Sequence, residues 1–311
     1  MDHTHVARSA ATPLPGTPGA PSTAEDDPSE SLPAFRTGAL AKLRRDPGAI
    51  VGLILVGAVL LLALLAPWLS PHDPNYVFYD GTTDSGAPLG HTAKFVLGTD
   101  PAGRDVLSRL LWSSRTSLAI AAVAMAMTAI VGVTVGCLAG YLRGWTEALL
   151  MRLTDVLLAL PPILLAMALA AAFGAGFGSV VVVVALVAWP PLARTVYAQV
   201  LTIREQGFVE AARALGAGNA RIMVRHIAPQ VLPIMLVYTT LGVATAVSLE
   251  STLSFLGLGI PATDLSWGVM LNIALDYYQT DAPLLLYPAV LIVATVLGFT
   301  LVGEGLRRAQ A

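Results

Sequence analysis

Residues Glu210 to Pro229 read EAARALGAGNARIMVRHIAP, a polar segment set between two strongly apolar blocks. Phe208, Ala211, Ala212 and Leu215 recur at i, i+3, i+4 and i+7, the spacing of one face of an α-helix. Gly216 and Gly218 then punctuate the pattern, and Asn219 stands where a second helix would be capped. Ile222, Met223 and Ile227 line one side of that second helix, with Arg221 and Arg225 elsewhere on it. Pro229 opens the next apolar run, and proline is well accepted in a helix's first turn. The expected unit is helix, tight turn, helix. It reads either as an amphipathic segment lying on a membrane surface or as a projection shaped to dock into a partner's groove.

The blocks around it settle the class. The chain is 55% hydrophobic and only 12% charged, with mean hydropathy +0.71; a soluble domain is about one quarter charged. This is the composition of an all-α, polytopic membrane protein. The formal net charge of −2 gives no nucleic-acid signal. A single cysteine, Cys137, excludes an intramolecular disulfide and reads as a small packing residue.

Residues 1–35 are rich in Pro, Ser, Thr and Ala, with Glu25, Asp26, Asp27 and Glu30 clustered. Such a stretch cannot bury a core and reads as a disordered tail rather than a signal peptide. Residues 36–311 form the transmembrane domain, with the polar loop at about 200–229. Apolar blocks long enough to span a bilayer fall near 50–69, 116–139, 151–172, 179–199, 230–250 and 284–303. Six spans are expected, the fourth interrupted by Trp189, Pro190 and Pro191. Placing both termini in the cytoplasm puts thirteen basic residues inside, from Arg36 to Arg308, and leaves Lys94, Arg104, Arg109 and Arg115 outside. The polar loop is then cytoplasmic.

Within the spans, Gly132, Gly136 and Gly140 form a small-residue ladder, read as a helix–helix contact or, alternatively, a pore-facing groove. Pro161 and Pro162 should kink the third span. Charge is expensive at depth, so three carboxylates stand out as structural or gating candidates. Asp155 is expected to pair with Arg152 at i, i−3. Glu250, at the outer end of the fifth span, either caps the segment after it or faces a water-filled cavity. Glu304 is expected to pair with Arg307 or Arg308.

Three stretches together resemble the permease subunits of ABC importers, in the dipeptide/oligopeptide/nickel branch. Glu210, Ala211, Ala212, Gly216 and Pro229 match the "EAA" loop of that family, and His226 fits the H-I-x-P ending of the peptide branch. Leu97 to Leu118, LGTDPAGRDVLSRLLWSSRTSL, is similar to the G-T-D-x-x-G-R-D segment before the second helix. Glu250 to Pro261, ESTLSFLGLGIP, with SWGVML at Ser266 to Leu271, is similar to the signature after the fifth. In these stretches Gly98, Gly103, Gly257 and Gly259 permit turns, while Phe255 and Trp267 supply bulk suited to a membrane interface. The chain departs from the family in the TAKFV inserted between His91 and Leu97 and in its ending at Gly303 to Arg308.

The resemblance implies a type I ABC importer fold in the bacterial inner membrane, with the loop inserting into an ATP-hydrolysing subunit. It also implies partners: a homologous second permease, two cytoplasmic ATPase subunits that bind ATP and Mg, an extracytoplasmic substrate-binding protein, and membrane lipid around the spans. The implied substrate is a di- or oligopeptide, with nickel chelates or another small solute as the alternative.

The chain itself carries no chemistry-bearing motif. Its two lysines, Lys42 and Lys94, each follow alanine, so no G-K-[ST] phosphate loop exists. The histidines His3, His5, His72, His91 and His226 show no metal-ligand spacing. It reads as a non-enzyme. An ion-coupled secondary transporter is the rival from another class, and it would place acidic residues and unwound glycines at mid-membrane. An intramembrane protease would need paired catalytic residues at depth.

Overall fold

The computed structural model describes Lys42 and residues 45–84 and 86–310; the tail expected at 1–35 lies outside them. The described residues are mostly helical, with non-helical stretches at 70–105 and 256–266, and their extended pairings are two isolated bridges, Thr82 to Pro88 and Thr99 to Asp105.

Helix α1 spans Pro47–Leu69. Asp46 starts it by accepting from the backbone N–H groups of Gly48 and Ala49 at 2.9 and 3.4 Å, and Pro47 supplies the preset φ of a first helical position. Helix α2, Val106–Leu142, begins where Asp105 accepts from the Ser108 N–H at 2.9 Å. At 37 residues it is about 55 Å long, so it overreaches a bilayer core of about 30 Å.

The third expected span divides. Helix α3, Gly144–Ala159, and helix α4, Pro162–Phe173, meet at 97°. Pro161 and Pro162 stand at the break, where a proline removes a donor and clashes with the preceding turn. Among the described residues five helices are therefore long and apolar enough to cross a membrane, or six if this bent pair is one broken span.

Helix α5, Phe177–Ile203, runs unbroken through Trp189, Pro190 and Pro191, contrary to the interruption expected there. Its packing explains this: Leu192, Ala193, Val196 and Val200 are fully buried against α2. The glycine ladder is that contact. A Cβ built on Gly136 would lie 2.7 Å from the Ala193 carbonyl oxygen and from Val196 Cβ. Gly132 and Gly140 meet Leu192 and Val200 as closely. Close backbone approach, not a groove, is what the small residues provide.

Helix α6, Gly207–Ala214, and helix α7, Asn219–Ile222, form the polar loop. A π-turn over Met223–Ile227 continues α7 into helix α8, Ala228–Phe255, giving one long rod. After a loop over 256–266 come helix α9, Trp267–Ala274, and helix α10, Ala282–Gln310. Arg308 of α10 reaches Asp46 at 2.6 Å, and Gln310 donates to the Pro233 carbonyl at 3.0 Å. The starts of α1 and α8, the loop and the end of α10 thus share one end of the bundle.

The main core lies between α2, α8, α9 and α10, with Ile120, Ala124, Val247 and Trp267 buried at its centre. Trp267 was expected at a membrane interface. It is instead fully buried, its backbone N–H donating to Ser117 Oγ at 3.3 Å. Gly98, Gly103 and Gly257 do turn at positive φ.

Candidate functional site

The loop is built on its own small core. Val209 and Ala212 of α6, Ile222, and Ile227 of the π-turn are buried among Cys137 and Tyr141 of α2, Val196, Val200 and Ile203 of α5, and Val231 of α8. The helical period places Ala212 as expected. Leu215 departs from the expected face: it is 89% exposed, as is most of Val224 at 70%. The inward face of α6 is Val209 and Ala212, so Ala211 is exposed with Leu215.

The turn is a Schellman closure. Gly216 N–H donates to Arg213 O at 3.0 Å and Ala217 N–H to Ala212 O at 3.1 Å, the 5→2 and 6→1 bonds of that motif. It requires a left-handed residue, and Gly216 has φ +80°. Nothing lies within 4 Å of a Cβ built there, so backbone conformation, not space, selects glycine.

Asn219 does not cap α7. Gly218 is the cap position, and Asn219 Oδ1 accepts from the Tyr141 hydroxyl at 3.1 Å. The Arg213 guanidinium lies 6.0 Å from the centroid of the same Tyr141 ring. Arg204 Nη1 donates to the Gly140 carbonyl at 3.2 Å, closing the end of α2. Periodicity and spacing give no sign of Tyr141 or Arg204, because their partners lie 78 and 64 residues away.

Pro229 accounts for the π-turn. Its ring excludes a regular approach to the Arg225 carbonyl and it has no N–H to donate. The ladder widens instead, and the Ala228 N–H donates to Met223 O, five residues back. His226 is half-buried, its ring 6.4 Å from that of Phe208. Glu210 is exposed in the first turn of α6 and makes no ion pair among the described residues.

The three carboxylates separate. Asp155 pairs with Arg194 of α5, not with Arg152 in its own helix. Glu304 pairs with Arg307 at 2.6 Å, as spacing predicts, while Arg308 goes to Asp46. Glu250 is fully buried inside α8, which runs on to Phe255; it accepts from Ser254 Oγ at 2.9 Å and lies 3.4 Å from Ser251 Oγ. No group of three or more His, Cys, Asp or Glu side chains converges on a metal position among the described residues.

The family described as the binding-protein-dependent transport system inner membrane component matches residues 132–311, more than half of the chain. The chain belongs to this family of permeases. A second match, the N-terminal TM domain of oligopeptide transport permease C, covers residues 35–88. Full-length relatives agree. The chain is 37% identical over 271 residues to the dipeptide transport system permease protein DppC of Alkalihalophilus pseudofirmus, covering 87% of this permease and 88% of that one. It is 38% identical to the glutathione transport system permease protein GsiD of Escherichia coli over 86% and 87% of the two chains. It is 36% identical to the di/tripeptide permease DppC of Pseudomonas aeruginosa over 91% and 94%. Among solved structures, a chain of the MetNI methionine ABC transporter, in inward-facing form, superposes with TM-score 0.54 at 22% identity, covering 65% of this permease and 96% of that chain. That likeness places the fold among type I ABC importers.

Proposed function

We propose that this permease is one of two homologous membrane subunits of an ATP-driven importer of di- and oligopeptides, and that the α6–α7 loop docks into cytoplasmic ATPase subunits. The observation that carries the reading is the pair Leu215 and Val224, exposed on a loop whose own buried face is already complete. Exposed large apolar side chains on an ordered projection mark a place for a partner. Gly216 sets the turn of that projection and Pro229 its π-turn, His226 lies beside Phe208, and Glu210 and Ala211 are exposed on it.

Orientation follows from charge. Arg143, Arg204, Arg213, Arg221, Arg225, Arg307 and Arg308 sit at or near the loop end, which the positive-inside rule assigns to the cytoplasm. Peptide as substrate rests on the names of the relatives; nickel or another small solute is the alternative within the branch. An ion-coupled carrier is disfavoured because Asp155 and Glu304 are paired and the buried Glu250 is engaged by the Ser251 and Ser254 hydroxyls of its own helix. ATP and Mg belong to the ATPases, and substrate capture to an extracytoplasmic binding protein.

Affinity purification of the tagged permease from native membranes tests the assignment. Co-isolation of a second permease and Walker-motif ATPases, with ATP-dependent peptide uptake after reconstitution with the binding protein, is the expected result. Uptake driven by an ion gradient without ATPases would overturn it.

A further inference from the structure

Helices α3 and α4 together carry the chain from the loop end of the bundle to the opposite end. Gly144 follows directly on α2, and the Gly176 N–H beyond α4 donates at 3.1 Å to the Gly259 carbonyl, just past the far end of α8. The 97° bend therefore falls within the membrane, with a leg of about 24 Å on one side and about 18 Å on the other. Leu158 to Leu164 are all exposed there. Their backbone is also incompletely matched. Pro162 has no N–H for the Leu158 carbonyl. Helix α4 starts at Pro161 without a side-chain cap, so the Ile163 and Leu164 N–H groups lack helical partners.

The leg before the bend adds an apolar stripe. Trp145, Leu149, Leu153, Val156 and Leu160 recur at i, i+4, i+8, i+11 and i+15 and are all exposed, while Met151 and Thr154, on the other side of α3, are its buried residues. Asp155 of the same helix and Arg194 of α5 form an ion pair with about half of each side chain exposed. Helix α10 presents a different surface: Leu286, Val290, Val293 and Leu297 are exposed on an unbroken helix, with neither bare backbone nor charge among them. The α10 face suits acyl chains. The α3–α4 face does not, because hydrocarbon satisfies neither open backbone groups nor an ion pair.

Water would satisfy the backbone but leave five large apolar side chains uncovered. A protein covers both. ATPase subunits and a binding protein lie outside the bilayer, so a protein at this depth must itself span the membrane. We propose, on the reading that two homologous membrane subunits assemble, that the α3–α4 elbow and its stripe seat the second permease. That partner brings aliphatic side chains to the stripe and a hydroxyl or amide side chain to the elbow.

Photo-crosslinking in the intact complex from native membranes tests this, with benzoylphenylalanine placed in turn at Val156, at Leu164 and, on the α10 face, at Val293. Irradiation should join the first two positions to the second permease, identified by sequencing the adduct, and leave the third without a protein adduct. A second permease that is present but joined no more at Val156 and Leu164 than at Val293 overturns the proposal, as does an adduct to any other protein. Where adducts are absent, Val156→Cys and Leu164→Cys tell what covers the face instead, since the native Cys137 is buried. Rapid labelling of both by a charged thiol reagent assigns the face to water, and inertness assigns it to lipid. A complex without any second permease overturns the two-subunit reading along with the proposal.

Discussion

The Tyr141 hydroxyl donates to Asn219 Oδ1 at 3.1 Å, fastening the start of α7 to the end of α2. With Arg213 stacked over the same ring at 6.0 Å, one aromatic side chain ties both loop helices to a membrane-crossing helix. The loop is therefore tied to α2, which in turn packs on α5 through the glycine ladder.

Tyr141→Phe keeps the ring and removes only that bond. It should cost about 0.5–1.5 kcal/mol locally and leave membrane abundance unchanged. Hydrogen exchange at residues 213–222 should quicken while the α2–α5 core keeps its protection. Equal exchange in both proteins would show that the bond does not hold the loop.

The α2–α5 seam is the part of the bundle most sensitive to added volume. Gly136→Val should destabilise the permease by at least about 1–3 kcal/mol, because its Cβ would fall 2.7 Å from the Ala193 carbonyl. Gly57→Ala in α1, with nothing within 4 Å of the new Cβ, should be neutral or slightly stabilising. Thermal unfolding of the two side by side checks the contrast.

Gly216→Val should strain the Schellman turn by about 1–2 kcal/mol, whereas Gly216→Asn, tolerant of left-handed backbone, should be mild. The open space there means bulk has no part in the effect. ATPase capture by each variant, normalised to membrane abundance, is the readout. Indifference to valine would separate the turn from coupling.

Asp46 and Arg308 give a pH signature. The hydrogen bond from Arg308 holds the Asp46 carboxyl below its usual range. A depressed carboxyl stabilises above its unfolded pKa, near 4, and that contribution fades as pH falls through the lower folded value. From pH 5 to 8 the tie is therefore constant. Asp46→Asn retains the helix cap and should be less stable than wild type at neutral pH, with the gap closing in acid as the Asp46 carboxyl of the wild type is protonated. A gap that persists unchanged in acid would assign the effect to packing.

Much of this was legible from the chain alone. Apolar runs located the spans because a bilayer demands about 20 such residues, and Pro161–Pro162 marked the break in α3–α4. The Gly216 turn was readable because local backbone chemistry decides it. What escaped was long-range. Asp155 chose Arg194 over the nearer Arg152 because α3 packs on α5, and no periodicity encodes that. Leu215 fits a helical stripe by spacing, yet the Schellman turn comes immediately after it and leaves it outside the inward face of Val209 and Ala212. Trp267 looked interfacial by residue type, but α9 packs back into the core.

Topology is open to a labelling scan. An impermeant thiol reagent should reach Asp84→Cys and Thr280→Cys from outside, and Gly218→Cys only after the membrane is breached. All three positions are exposed, so silence at Gly218→Cys reports the side of the membrane rather than burial.

The most direct test of the coupling role removes the two exposed apolar contacts. Leu215→Asp and Val224→Asp, singly and together, alter side chains that are 89% and 70% exposed, so the permease should fold and pair normally. Capture of ATPase subunits should fall at least about tenfold in the double variant, equivalent to about 1.4 kcal/mol of lost interface, with transport lost in step. Full ATPase capture and full transport by the double variant at normal abundance would contradict the docking role of the loop.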